Sequence, residues 1–137
     1  MADPTEGSRE LAHTADWELE VWATDMSGLL RQAALGMYQL MALELAPGPR
    51  QQRRLELEAD DREALLVEFL QELLFLAESE CLAFDSLDLS VEDLRLRATV
   101  EGAPLVSQGK EVKAVTFHRL AIRQTARGLE TRVVFDV

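Results

Sequence analysis

From Leu65 to Ala77 the chain reads LLVEFLQELLFLA, broken by polar residues only at Glu68, Gln71 and Glu72. On a helix these apolar residues cover well over half the circumference, and the three polar ones share one narrow side. A helix that apolar around its girth belongs in a core or in a membrane. Spanning a bilayer takes about 20 residues, more than this run provides. The stretch is therefore expected to be a core helix, wrapped by other elements from more than one direction. Asp60-Asp61-Arg62-Glu63 ahead of it fits a capping box: an Asp side chain accepts from the backbone N–H three residues on, and Glu63 reaches back.

The elements around this helix follow from periodicity. Trp17, Leu19, Val21 and Ala23 alternate with Glu18 and Glu20, a strand with one buried face; Trp22 falls on the polar side and should be half covered. Ser27 to Leu45 repeats apolar residues at three- and four-residue steps and reads as a helix, stopped by Pro47-Gly48-Pro49. Gly36 in its middle costs about 1 kcal/mol against Ala, which close packing on a neighbouring backbone would justify. Arg53–Ala59, Phe84–Val91 and Leu94–Val100 read as strands, with a turn beginning at Glu101-Gly102. Val112–Phe117, Leu120–Thr125 and Thr131–Val137 complete a train of strands, with a turn at Ala126–Leu129. Hairpin-length gaps imply mostly antiparallel pairing. The expected fold is α+β: a single mostly antiparallel sheet with two helices packed together on one face. Residues 1–10 read as a flexible lead-in, and 11–137 as one domain.

Charge narrows the partners. Fourteen Lys and Arg stand against 25 Asp and Glu, a net charge of −11. Affinity for phosphate backbones comes from cationic side chains, so bare nucleic acid is a poor ligand for such a surface. The single Cys81 cannot close an internal disulfide, and the first residues show no secretory signal, which fits a cytoplasmic setting away from membranes. There is no phosphate-binding glycine loop, no G-x-S-x-G elbow and no C-x-x-C pair. One Cys and two His cannot assemble a zinc site of usual composition.

A carboxylate group remains. Asp16 precedes the first strand, and Asp136 sits near the end of an apolar one, where Asp is out of place. If those strands are neighbours, Asp16, Asp136 and the α-carboxylate of Val137 can converge as oxygen ligands for a hard divalent cation. On spacing alone the commoner reading is that Asp16 serves a turn and Asp136 is solvated. Lys113, alternating with Ala114, can point out of the sheet toward an anion or a partner carboxylate; an inconsequential exposed Lys is the plainer alternative. His13 and His118 read as surface or satisfied histidines.

In order along the chain, His13-Thr-Ala-Asp16, Ala33-Ala-Leu-Gly-Met37, Leu65 to Leu76, Val112-Lys-Ala-Val-Thr-Phe-His118 and Val134-Phe-Asp-Val137 resemble the archease family over about residues 11–137. The resemblance implies an accessory protein, not an enzyme, of the RtcB-type RNA ligase that seals RNA ends in tRNA splicing and RNA repair. It implies promotion of ligase guanylylation by GTP and multiple turnover, with no stable direct RNA binding. The family's metal ligands map onto Asp16, Asp136 and Val137, with Ca²⁺ the usual ion and Mg²⁺ or Mn²⁺ as alternatives. Its functional Lys maps to Lys113, a contact to partner or nucleotide. This chain departs from the family at Gly102-Ala103, where Gly-Glu is frequent, and at Ser107-Gln108, where a His is frequent. The alternative expectation is a general chaperone or modulator of nucleic-acid-processing enzymes. A metal-dependent hydrolase is a weaker third, because no spaced acid and base accompany the carboxylates.

Overall fold

The computed structural model describes residues 5–11 and 16–137. His13 and the first four residues of the expected lead-in lie outside them. In chain order the elements are β1 (Gly7–Leu11), β2 (Trp17–Ala23), α1 (Met26–Met41), β3 (Leu43–Leu45), β4 (Gln51–Glu58), α2 (Arg62–Ser79), β5 (Leu82–Glu92), β6 (Arg95–Gln108), β7 (Ala114–Thr116), β8 (Arg123–Thr125) and β9 (Gly128–Asp136). The α+β class and the antiparallel pairing are as expected. The single sheet is not: the strands form two.

In the first sheet β9 is the hub, with β2 beside it, β1 beyond β2, and β7 and β8 each pairing with β9. In the second, the 14-residue β6 is the common partner of β3, β4 and β5. The correction has a physical source in α2. Leu65, Leu66, Val67, Phe69, Leu70, Leu73, Leu74 and Leu76 are all buried, and one sheet on one side cannot cover so wide an apolar girth. Both helices touch strands of both sheets: α1 meets β1, β2 and β9 but also β5, and α2 meets β4, β5 and β6 but also β7. Only Phe75 of the apolar run joins Glu68 and Gln71 in solvent, 52% exposed.

Other boundaries shift for local reasons. α1 ends at Met41, not Leu45, because Ala42 adopts a left-handed conformation (φ 51°) and its N–H caps Gln39 and Tyr38 carbonyls; Leu43–Leu45 then pairs with β6. Asp61 is the N-cap of α2, accepting from the Ala64 N–H at 2.7 Å. Glu63 does not complete the expected box. It accepts instead from the Ile122 N–H at 3.0 Å, tying a distant loop to the helix. Gly36 marks close packing, but on side chains and not on the expected backbone: a Cβ there would lie 2.6 Å from Leu19 Cδ2 and 2.8 Å from Ser8 Oγ. Gly102 marks no turn. It lies within β6 opposite a register shift in β5, where a Cβ would sit 1.8 Å from the Ala83 carbonyl oxygen, the close backbone approach that glycine in a strand permits. β1, whose first four residues fall in the stretch read as a lead-in, forms the edge of the first sheet.

Candidate functional site

The first sheet positions the residues that the sequence singles out. β2 and β9 pair with Trp17 opposite Phe135, Leu19 opposite Val133 and Val21 opposite Thr131. Leu19, Val21, Val133 and Phe135 are buried toward the core, so alternation sends the even-numbered residues to the outer face. Continued by one residue, the same register sets Asp16 against Asp136 at the ends of neighbouring strands. The Lys113 N–H donates to the Asp136 carbonyl at 2.7 Å, which brings the start of β7 to the same end. Val137 follows, packed against the core. Asp136 and Lys113 are exposed and Asp16 is half-buried. Four positions separated by as many as 121 residues in sequence therefore gather at one end of one sheet.

The chemistry of this group is that of oxygen donors beside a cation. Among the described residues, no three His, Cys, Asp or Glu side chains form a metal-ligand cluster. The two Asp side chains offer carboxylate oxygens, the donor type of hard divalent cations and not of soft ones. His118 takes no part in it. It is exposed, and its N–H donates to Thr116 Oγ1 at 3.2 Å. Lys110 belongs to this end although no sequence signal marks it. Its ammonium lies 3.9 Å from the centroid of the Trp17 ring, a cation–π contact. The N–H groups of Gly109 and Lys110 both donate to the Met41 carbonyl, anchoring that loop to the end of α1.

Further along the same outer face, Glu20 is only 4% exposed although it lies on the polar side of β2. Arg9 and Arg127 enclose its carboxylate. The hydrogen bond from Arg127 is the main influence and holds the carboxyl below the usual range; burial opposes it, and Arg9 adds to the lowering. Arg127 also lies 4.1 Å over the Trp22 ring, which half covers that side chain as expected, and it donates to Glu130 at 3.0 Å. Next to this network, His118, Arg119, Arg123 and Arg132, with Glu18 and Glu130, line a concavity of about 470 Å³. Sequence reasoning did not group these arginines, because only the pairing of β8 with β9 and the path of the loop after β7 bring them together.

A model of the archease protein family matches residues 9–137. The archease of Methanothermobacter thermautotrophicus is 30% identical over 131 residues, covering 90% of this chain and 94% of that protein. That of Thermococcus gammatolerans is 33% identical over 124 residues, covering 85% and 87%. The solution structure of protein 1598 of Methanobacterium thermoautotrophicum superposes with a TM-score of 0.69 at 28% identity, over 96% of this chain and 99% of that one. The crystal structure of an archease from Thermotoga maritima, described as a possible chaperone, gives 0.67 at 20% identity over 100% and 98%, a likeness of fold. The matched segment holds both helices and all of both sheets but the first two residues of β1, and on that match the chain belongs to the archease protein family.

Proposed function

We propose that this chain is an accessory protein of an RtcB-type RNA ligase, promoting GTP-dependent guanylylation of the ligase and its multiple turnover in tRNA splicing or RNA repair. The reading is carried by the family match over residues 9–137, joined to the gathering of Asp16, Asp136 and Lys113 at one exposed end of a sheet. In this reading Asp16, Asp136 and the Val137 carboxylate hold a divalent cation, with Ca²⁺ favoured by the oxygen donors and Mg²⁺ or Mn²⁺ as the alternatives. Bound there, the cation would supply positive charge at a tip offered to the ligase. Lys113, next to Asp136 through the backbone, contacts the ligase or its nucleotide. The net charge of −11 suits a basic, phosphate-handling partner better than RNA itself.

The test mixes the chain with a cognate ligase, GTP and Mn²⁺ and measures guanylylated ligase. Stimulation is expected. Asp136→Ala should abolish it while leaving the melting temperature near that of the parent, since Asp136 is exposed at a strand end. An unchanged yield of guanylylated ligase with the parent chain would refute the reading.

A second reading, a chaperone or modulator of nucleic-acid-processing enzymes in general, draws on the Thermotoga maritima archease, described as a possible chaperone, and on apolar exposure. Phe75 on α2 and Phe117 after β7 are 52% and 58% exposed. Their elements are tied together where Gln71 donates to the Val115 carbonyl at 3.2 Å. Recovery of many unrelated enzymes with the tagged chain, and no preference for one ligase, would favour it.

A further inference from the structure

We infer that the concavity between β2, β8, β9 and the loop after β7 binds a small phosphate-bearing anion of the di- or triphosphate class through Arg119, Arg123 and Arg132. The site is separate from the carboxylate end and does not depend on the ligase reading.

Two carboxylates are turned away from the arginines that face them. The strand register sets Glu20 opposite Arg132 and Glu130 opposite Arg123, and directly opposed charges of opposite sign ordinarily pair. Here both carboxylates are diverted. Arg127, at the β8–β9 turn, donates to Glu20 through Nη2 and to Glu130 through Nε, and Arg9 takes the rest of Glu20. Thr125 Oγ1 adds a further bond to Glu130. Among the described residues, Arg119, Arg123 and Arg132 make no ion pair. Three unpaired guanidinium groups thus share one concavity of about 470 Å³, on a chain where acidic side chains far outnumber basic ones.

The wall is also held in place. Arg119 sits in the left-handed region (φ 54°), a conformation that persists in a non-glycine residue only where its surroundings impose it. They do so through several bonds. The Leu120 N–H donates to the Phe117 carbonyl at 3.0 Å, and the Ile122 N–H donates to Glu63 at 3.0 Å. Thr131 Oγ1 donates to the Ala121 carbonyl at 2.9 Å, and Thr116 Oγ1 receives the His118 N–H. A planar guanidinium fork matches phosphate oxygens in pairs, which a lysine ammonium does not. The volume falls within the range of small-ligand sites and exceeds what a lone phosphate fills. The overall charge excludes a long polyanion but not a compact one. At physiological ionic strength charge is screened within about 8 Å, so a small anion inside the concavity meets the three arginines before the distant acidic surface. Glu18 is the one wall carboxylate without a cationic partner among the described residues, and it opposes binding.

The test is calorimetric titration of the full chain with inorganic pyrophosphate, in a chelator that removes any contribution from a bound metal. Saturable binding is expected. Arg123→Ala and Arg132→Ala should each weaken it about tenfold, the scale of one charge-assisted hydrogen bond lost. The triple variant with Arg119→Ala should abolish it, and Glu18→Gln should tighten it severalfold. Arg54→Ala and Arg62→Ala, unpaired arginines elsewhere, should change nothing, and circular dichroism confirms that each variant is folded. A nucleoside triphosphate binding tighter than pyrophosphate would name a nucleotide as the ligand; equal binding would show that the phosphoryl groups alone are read. No saturable binding of either, or binding untouched in the folded triple variant, overturns the inference. So does equal weakening in the Arg54 and Arg62 controls.

Discussion

The outer faces of the two sheets use the same side chains to opposite ends. On the second sheet, most arginines meet carboxylates set beside them: Arg95 with Glu58 and Arg97 with Glu56 are cross-strand register partners, while Arg53 reaches Glu80 and Arg50 reaches Asp85 and Glu101; Arg54, opposite Thr99, makes no ion pair among the described residues. These pairs are solvated, and such pairs add little stability and leave little charge for a ligand. On the first sheet the register partners are separated. Glu20 is buried between Arg9 and Arg127, Glu130 is taken by Arg127, and Arg123 and Arg132 are left facing a concavity. An arginine is available for binding not because it is exposed but because its opposing carboxylate has been claimed by another residue.

The largest effect tests what holds the second sheet together, which is backbone contact and not charge. Gly102→Val places a side chain where even a Cβ would lie 1.8 Å from the Ala83 carbonyl oxygen. It should prevent β5 from seating on β6 and leave the chain insoluble or without a cooperative melt. A folded, soluble variant would show that the second sheet tolerates separation there.

Acid should act on the first sheet through Glu20. Glu20 is held below its ordinary value of 4.5 chiefly by Arg127. A lowered carboxyl contributes stability that is present above the unfolded value and lost as pH falls through the folded one. The melting temperature should therefore decline from about pH 4.5 downward, and the decline should be shallower in Glu20→Gln. Asp85, lowered by its bond from Arg50, acts in the same direction from the second sheet, but it is exposed and solvent weakens its share. Parallel melting curves for parent and Glu20→Gln would remove Glu20 as the main source.

Arg127→Ala tests directly whether the diverted carboxylates keep the arginines free. Arg127 does not line the concavity. Its removal releases Glu130 toward Arg123 and part of Glu20 toward Arg132. Pyrophosphate affinity should drop about tenfold in a chain that remains folded; unchanged affinity would mean that the carboxylates are not what keeps the arginines free. Smallest of all, Arg97→Ala should alter stability by less than about 0.5 kcal/mol in chemical denaturation, the worth of an exposed pair.

Several elements were readable from local pattern. The girth of Leu65–Ala77 foretold a helix covered from several sides, the alternation from Trp17 to Ala23 gave β2 with its buried face, and Gly36 foretold a tight spot, though side chains and not backbone fill it. Gly102 misled because a glycine in a tight strand pair and one in a turn look alike without the partner strand. Glu63 misled because a capping box and a tether to a distant loop require the same residue. β3 was hidden inside the apparent period of α1, since Leu43 and Leu45 also fit a helical repeat.

What the sequence determined by itself is the set of faces that had to be buried, because period and apolar content are properties of neighbouring residues. It also placed Asp16 and Asp136 next to two strands and so left open their meeting. The tertiary structure alone decided that β2 and β9 are neighbours, that the strands divide between two hubs, and that Arg127 claims the carboxylates opposite Arg123 and Arg132. Each of these depends on contacts between residues far apart in the chain. Their outcome is fixed by which strand edges find each other around the core helices, and no stretch of neighbouring residues encodes that choice.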